Sequence, residues 1–113
     1  MQKLEVFGAN KLKGTIKISG SKNASLPILA ATLLSNNRIN LYNLPKVRDI
    51  ETMIKLLQTL GSQVKFKRNN LVIDNHKQNK KFASYNLVKT MRAGILVLGP
   101  LLAKFGSAKV SLP

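Results

Sequence analysis

The sequence predicts a domain of the α/β (α+β) class, in which short strands and helices alternate along the chain. Several short segments alternate apolar and polar residues, which is typical of strands. Longer segments show helical periodicity. Two of these, residues 22–34 and 92–103, begin with a basic residue and are otherwise apolar on nearly all sides, which predicts helices buried within the protein.

The first part of the chain predicts two strands, a helix and a third strand. Residues 4–7 and 14–18 are the first two strands, because their apolar side chains alternate with polar ones. The Ser and Gly residues at 19–21 end the second strand and supply a cap for a helix over 22–34. Alternation resumes at 39–42 and predicts the third strand.

An amphipathic helix is predicted over residues 47–60, with Gly61 as its C-terminal stop. The remaining predicted elements are a hairpin over 64–73, a loop over 74–81, a helix over 87–104 and a strand over 108–112. Both apolar helices are followed by a short strand, which suggests an internal repeat with an offset of about seventy residues. The second copy breaks off after its first strand, so we expect the chain to be a fragment.

The composition predicts a soluble, cytoplasmic protein. Apolar residues make up 44% of the chain, which is ordinary for a globular domain. No stretch reaches the roughly 18 uninterrupted apolar residues of a membrane span, and the first five residues lack the apolar core of a secretory signal. Without cysteine there is no disulfide framework and no thiolate metal site.

The net charge of +15 raises nucleic-acid binding as a possible function. The basic residues, however, are scattered from Lys3 to Lys109 and never form a long run. Aromatic residues are few, and they do not interleave with the basic ones as a stacking platform requires. Asparagine is abundant too, so a compositional drift of the solvated surface explains the charge. We therefore expect no nucleic-acid partner, and a small basic binding module remains an alternative.

No catalytic constellation can be assembled from the acidic residues and the single histidine. His76 lies in the predicted polar loop, which favours a solvated side chain over a metal ligand or a catalytic base. Asp49 and Glu51 lie at the start of the amphipathic helix and suit its positive end. Asp74 is typical of a turn.

The start of the first apolar helix is the most informative candidate site. There a Gly/Ser turn delivers Lys22 and Asn23 to the first helical turn. Backbone N–H groups and the helix dipole attract anions at such a point, and the Lys22 ammonium adds a full charge. The alternative is a solvated Lys22 with Asn23 as a spare cap, and the residues alone do not decide between the two.

Arg92 opens the second apolar helix in the same way. If the two helices pack side by side, Lys22 and Arg92 could hold one multiply anionic ligand, with the guanidinium binding a phosphate through paired donors. An arginine on a helix surface is the alternative.

At this point the sequence resembles a known family, the UDP-N-acetylglucosamine enolpyruvyl transferases. The resemblance is carried by residues 20–30 (GSKNASLPILA), 43–50 (NLPKVRDI), 85–93 (YNLVKTMRA) and 99–113 (GPLLAKFGSAKVSLP). These motifs occur in order and at fitting distances, and they extend over the whole chain. In the related shikimate-pathway synthase, which shares the fold, the early lysine is usually followed by Ser, whereas this chain has Asn23.

The resemblance implies the enolpyruvyl transferase fold, an inside-out α/β barrel of repeated βαβαββ units that is only partly present here. It implies that residues 1–19 form the first strands, which belong to the far domain. Residues 20–113 would then form the first one and a half repeat units of the N-terminal domain. Substrates bind in the cleft between the two domains of that family.

The resemblance also implies the reaction, in which the enolpyruvyl group of phosphoenolpyruvate passes to the 3-hydroxyl of UDP-N-acetylglucosamine. This is the first committed step of peptidoglycan synthesis, and it implies neither a cofactor nor a metal. Lys22 and Asn23 would bind phosphoenolpyruvate, and Arg92 would bind the nucleotide sugar. The loop with the catalytic Cys, or Asp in some members, comes after Pro113, so this chain alone is expected to be inactive. 3-Phosphoshikimate 1-carboxyvinyltransferase is the alternative enzyme.

Overall fold

The structure, a computed structural model, describes residues 2–8, 11–77, 82–83, 85–89 and 92–112. Helices and strands alternate in these ranges, as the sequence predicts: α1 (Lys22–Ala31), β1 (Ile39–Leu41), α2 (Arg48–Thr59), β2 (Gln63–Lys67), β3 (Asn70–Asp74), β4 (Phe82–Ala83), α3 (Tyr85–Val88), α4 (Leu98–Phe105) and β5 (Lys109–Val110). Two short 3-10 segments, Thr32–Leu34 and Arg92–Val97, follow α1 and precede α4.

The main sheet is antiparallel, with β3 between β1 and β2. Ile73 of β3 lies opposite Ile39 on one side and Val64 on the other. This confirms the predicted hairpin, whose turn places Arg68 in the left-handed region at φ 59°. A second sheet pairs β4 with β5 in parallel. The sequence did not predict β4, because two residues are too few for alternation to be visible.

A helical layer covers one face of the main sheet. Helices α1 and α2 pack against each other, and Leu29, Leu33 and Leu57 are fully buried between the elements. From the sheet, Leu71 and Ile73 enter the same core. The predicted amphipathic helix is confirmed as α2, and Gly61 ends it with a φ of 108°.

One buried polar side chain joins several of these elements. The Asn75 side chain lies just after β3 and is fully buried. Its amide donates a hydrogen bond to the Thr32 carbonyl at 2.7 Å and accepts one from the Ser62 hydroxyl. Burial of an amide is tolerated only when such partners are present. The end of α1, the start of β2 and the end of β3 are thereby tied together.

The apolar helix α1 is not buried on every side, contrary to the prediction. Its core-facing residues include Leu26 and Leu29, whereas Ile28 is 49% exposed and Leu34, just after the helix, is 58% exposed. Within the described residues, helix α2 and the 3-10 segment at 92–97 cover only part of the α1 surface. An apolar sequence predicts burial but does not say which element provides it.

The single helix predicted over residues 87–104 is also wrong, because α3, the 3-10 segment and α4 replace it. Residues 90 and 91 of that prediction lie outside the described residues. Gly94 lies so close to Val88 that an added Cβ would be 3.1 Å from its Cγ1 atom. A continuous helix would keep these positions apart along one axis, so the close approach requires a bend.

The strands predicted at 4–7 and 14–18 are not formed. Residues 2–8 and 11–20 run without regular secondary structure, and side chains such as Leu4 and Phe7 are 90% and 88% exposed. A strand needs the hydrogen bonds of a neighbour, and the described residues contain no strand paired with either segment. Among the helices of the described part, none is long and apolar enough to cross a membrane.

Candidate functional site

The predicted site lies at the N-terminus of α1. Ser21 caps the helix from an extended conformation, and its hydroxyl accepts a hydrogen bond from the Ala24 N–H at 3.2 Å. The Ser25 hydroxyl donates to the Ser21 carbonyl at 2.6 Å, which adds a second link across the first turn. Lys22 and Asn23 are therefore the first two helical residues, and both are exposed, as an anion site at a helix start requires.

The Lys22 ammonium forms an ion pair with Asp49. The distance from Nζ to Oδ2 is 3.2 Å, and the two side chains are 46% and 37% exposed. Asp49 lies in the first turn of α2, so the pair links the N-termini of two helices. A carboxylate at that position also stabilises the helix dipole. The sequence predicted that Asp49 would stabilise the helix dipole, but it did not predict the ion pair with Lys22.

A depression of about 450 Å³ lies beside this ion pair. It is lined by Ser19, Gly20, Lys22, Leu44, Pro45, Lys46, Val47 and Asn69. Two ammonium groups and the start of α2 are on its border, and Asp49 is the acid paired with one of them. Such a surface attracts an anion of small size, because helix N-termini and ammonium groups both favour negative charge.

The segment before Lys22 crosses close to the connection between β1 and α2. A Cβ atom on Gly20 would lie 1.9 Å from the backbone oxygen of Asn43, so only glycine fits here without movement of the backbone. The Asn43 side chain donates to the Ile18 carbonyl at 3.1 Å. These contacts determine where the chain enters α1.

Arg92 is the third predicted site residue, and the structure describes only its main chain. It begins the 3-10 segment Arg92–Val97, which packs against α1. The two segments that open with Lys22 and Arg92 are therefore neighbours, as the side-by-side hypothesis requires. The side chain of Arg92 lies outside the described residues.

Asp49 is the residue whose contact with the site was missed from the sequence. One feature of the sequence pointed to this contact, namely the position of Asp49 in the first turn of a helix. An acid there lies close to any group that binds at the helix N-terminus. Its partner could not be found without the packing of α1 on α2. The run Arg48-Asp49 is also part of one of the motifs noted above, which marked the region without giving the contact.

Asp74 and His76 form a separate exposed pair after β3. One Asp74 oxygen accepts from the His76 N–H at 3.0 Å and contacts Nδ1 of the ring at 2.8 Å. The backbone hydrogen bond from His76, followed by the ring contact, lowers the pKa of the Asp74 carboxyl. Asp74 therefore serves a turn, as predicted. Across the described ranges, no cluster of three or more His, Cys, Asp or Glu residues could hold a metal ion.

Comparison with known proteins identifies relatives along the whole chain. A family profile described as EPSP synthase (3-phosphoshikimate 1-carboxyvinyltransferase) matches residues 6–113. A UDP-N-acetylglucosamine 1-carboxyvinyltransferase from Pelagibacter ubique is 74% identical over 113 residues, and one from Campylobacter jejuni subsp. doylei is 47% identical over 113 residues. Both alignments cover 100% of this chain but only 27% of the relative. The chain thus spans about a quarter of the length of these relatives.

A solved structure confirms the predicted fold. The enolpyruvyl transferase NikO from Streptomyces tendae superimposes with a TM-score of 0.74 at 18% sequence identity. The match covers 89% of this chain and 24% of that one. At this low identity the likeness establishes the enolpyruvyl transferase fold and nothing about the substrate.

Proposed function

Because this chain belongs to the EPSP synthase family, we propose that its full-length protein transfers the enolpyruvyl group of phosphoenolpyruvate to the 3-hydroxyl of UDP-N-acetylglucosamine. The observation that carries this choice of substrate is the 74% identity with a relative named for it. The aligned region covers the whole chain, including the segment at the start of α1. The role in peptidoglycan synthesis, and with it a cytoplasmic location, belongs to the same proposal.

The reaction proceeds by addition followed by elimination. The sugar hydroxyl oxygen bonds to C2 of phosphoenolpyruvate while a proton is added to C3, which gives a tetrahedral ketal. The C2–O bond to phosphate then breaks, a proton leaves C3, and the enol ether and inorganic phosphate are released. Both steps need groups that neutralise a multiply charged substrate, and electrostatic stabilisation of this kind is a large term in catalysis.

Lys22 and Asn23 bind phosphoenolpyruvate in this proposal. The exposed ammonium at a helix start, beside a depression with a second ammonium from Lys46, supports it. Arg92 binds the nucleotide sugar, and the contact between its 3-10 segment and α1 is compatible with one shared site. The proton-transfer Cys or Asp belongs to the full-length protein after Pro113. Residues 1–19 contribute strands to the far domain, and residues 20–113 form the first one and a half repeat units.

A second candidate is transfer to 3-phosphoshikimate, which the description of the family profile names. Both reactions use phosphoenolpyruvate, so the geometry at Lys22 does not separate them. The residue after the lysine is Asn23, and both relatives described above carry the nucleotide-sugar name. We therefore place the nucleotide sugar first.

Measurement of phosphate release by the full-length protein tests this choice. Phosphoenolpyruvate with UDP-N-acetylglucosamine is expected to give turnover, and phosphoenolpyruvate with 3-phosphoshikimate is expected to give none. The reverse result would establish the second candidate. The 113-residue chain is the matched control, and it is expected to release no phosphate, because it spans 27% of its relatives. Turnover by a rigorously purified sample of this short chain would contradict the proposed division of labour.

Replacement of Lys22 tests the site. Lys22→Ala in the full-length protein is expected to weaken phosphoenolpyruvate binding by on the order of 2–5 kcal/mol, because the cleft between the two domains would bury the pair of ammonium and substrate, and truncating one member of a buried charged pair costs this much. Arginine is expected to restore it only in part, because a planar guanidinium cannot occupy the compact position of an ammonium. Calorimetric titration in the presence of the nucleotide sugar measures the affinity.

Lys55→Ala removes an exposed lysine of α2 and is the matched control. It should leave affinity unchanged. Neither variant should shift the melting temperature by much, because a half-exposed ion pair contributes about 0–1 kcal/mol. Equal affinities of the Lys22→Ala variant and the wild type would remove Lys22 from the site.

A further inference from the structure

We propose that Asn43 and Asp49 are positioning residues that hold Lys22 at two points and thereby set the affinity for phosphoenolpyruvate. Asn43 holds the main chain that leads into α1, and Asp49 holds the ammonium itself. The inference rests on the proposed function, because it takes Lys22 as the group that binds the anionic substrate.

Asn43 holds the main chain in two ways. Its amide donates to the Ile18 carbonyl at 3.1 Å, and its own carbonyl lies against Gly20 so closely that a side chain there would overlap it. Asn43 has a φ of 59°, a left-handed conformation that asparagine tolerates better than most residues. The segment at 18–20 is thus held on the connection between β1 and α2 just before Lys22.

That connection is itself attached to the β2–β3 hairpin. The Asn43 N–H donates to the Asn70 side chain at 3.3 Å, and the Leu44 N–H donates to the Asn69 carbonyl at 2.8 Å. The hairpin therefore fixes residues 43–44, and these in turn fix the position of the segment at residues 18–20. Positioning of this kind matters because small displacements of a binding group cost a large part of its effect.

Asp49 holds the ammonium group of Lys22. Its carboxylate lies 3.2 Å from the ammonium, in the first turn of a helix packed on α1. Long lysine side chains lose rotamer freedom on binding, and a partner that restricts them in advance reduces this cost. Asp49 also carries a negative charge close to an anion site, which by itself opposes binding. The two effects have opposite signs, so removal of the charge distinguishes them.

The test uses the full-length protein, with calorimetric titration of phosphoenolpyruvate in the presence of UDP-N-acetylglucosamine. Asp49→Asn is expected to weaken phosphoenolpyruvate binding by about three- to tenfold, within the range of coupling between contacting residues. A positioning role requires this loss, whereas a role of charge alone predicts tighter binding, which would overturn the proposal. Glu51→Gln removes the same charge from an exposed residue in the same helical turn and should not weaken binding.

Asn43→Gly keeps the left-handed backbone and removes the side-chain donor, so it should also weaken phosphoenolpyruvate binding by about threefold or more. Arg68→Gly also places glycine at a residue with a φ of 59°, in the hairpin turn, and is the control for the effect of glycine on the backbone. Affinity for the nucleotide sugar alone and the melting temperature should change little in either variant. Parallel losses of both affinities and of melting temperature would show a general structural role and contradict positioning.

A double-mutant cycle with Lys22→Ala completes the test. If Asn43 and Asp49 act through Lys22, their replacement should have no further effect on affinity once the ammonium is gone. Additive losses would overturn the proposal. Absence of turnover by the wild-type protein with UDP-N-acetylglucosamine would instead contradict the proposed function. Turnover with unchanged affinity in the variants would contradict only the inference about Asn43 and Asp49.

Discussion

Residues 2–20 and residues 22–77 carry the same strand signal, yet within the part of the chain that the structure describes only the second region forms strands. In the first region, apolar residues alternate at Ile16 and Ile18, and both side chains are exposed. In the second region, Ile39 and Leu41 alternate in the same way, and β1 pairs with β3 in register. Alternation therefore indicates which residues can form a strand, whereas the partner decides whether they do.

The shape of the chain reflects this difference. Its radius of gyration is 17.6 Å, whereas a compact chain of this length has about 13 Å. The longest extent is 59 Å, against 19 Å for the shortest. Helices satisfy their backbone hydrogen bonds internally and form wherever one face is packed. Strands at 4–7 and 14–18 cannot satisfy their backbone hydrogen bonds internally, and the described residues contain no strand that pairs with either segment.

The largest expected effect is the difference in stability between truncating a buried leucine in the second region and an exposed leucine in the first. Leu57→Ala in the 113-residue chain should lower the free energy of unfolding by about 2–5 kcal/mol, because Leu57 is fully buried and its truncation leaves a cavity. Leu12→Ala should change it by less than about 0.5 kcal/mol, because the side chain is exposed. Urea denaturation measures both values. Equal losses would show that the first region packs against the rest.

The same pair of variants in the full-length protein sharpens the comparison. If residues 1–19 form strands of the far domain, as proposed, Leu12→Ala should become destabilising there, while the effect of Leu57→Ala should persist. An unchanged stability of Leu12→Ala in the longer protein would argue that this leucine remains exposed and would weaken the domain assignment.

The second largest expected effect is a loss of stability on replacing Gly20, at the boundary between the two regions. Gly20→Ala in the 113-residue chain should be destabilising by about 1–3 kcal/mol, because the added methyl group would meet the backbone oxygen of Asn43. Gly8→Ala is the matched control, since a Cβ there meets no atom within 4 Å. Thermal melting of the two variants measures the difference. Similar melting temperatures would mean that the crossing segment shifts without cost.

The sequence predicts local features well and contacts between distant residues poorly. Helix α2 was recognised from its apolar stripe, and the hairpin from alternation on both sides of a polar turn. Lys22 was selected because a charged residue at a helix start is a local pattern. Its partner Asp49 and the crossing at Asn43 depend on the packing of elements more than twenty residues apart, which no local pattern encodes.

The smallest expected effect concerns Asp74, which lies at the end of β3 in the second region. Its contact with His76, two residues later in the chain, is purely local. Hydrogen bonds from His76 favour the charged carboxylate and lower its pKa below the ordinary value of 3.8. Because the folded pKa is lower than the unfolded one, this stabilisation is present above about pH 4 and is lost as the pH falls through the folded pKa. The backbone hydrogen bond is the largest cause and the ring contact is second.

Replacement of the ring therefore separates the two causes. His76→Ala keeps the N–H and should raise the pKa of Asp74 only part of the way to 3.8, whereas His76→Pro removes the N–H as well and should raise it further. NMR titration of the Asp74 carboxyl carbon measures this order. A full return in the alanine variant would mean that the ring, not the backbone, holds the carboxylate. The wild-type pKa is expected to be the same in the 113-residue chain and in the full-length protein, because His76 supplies the contact in both. A difference between them would show that even this local pair depends on the rest of the protein.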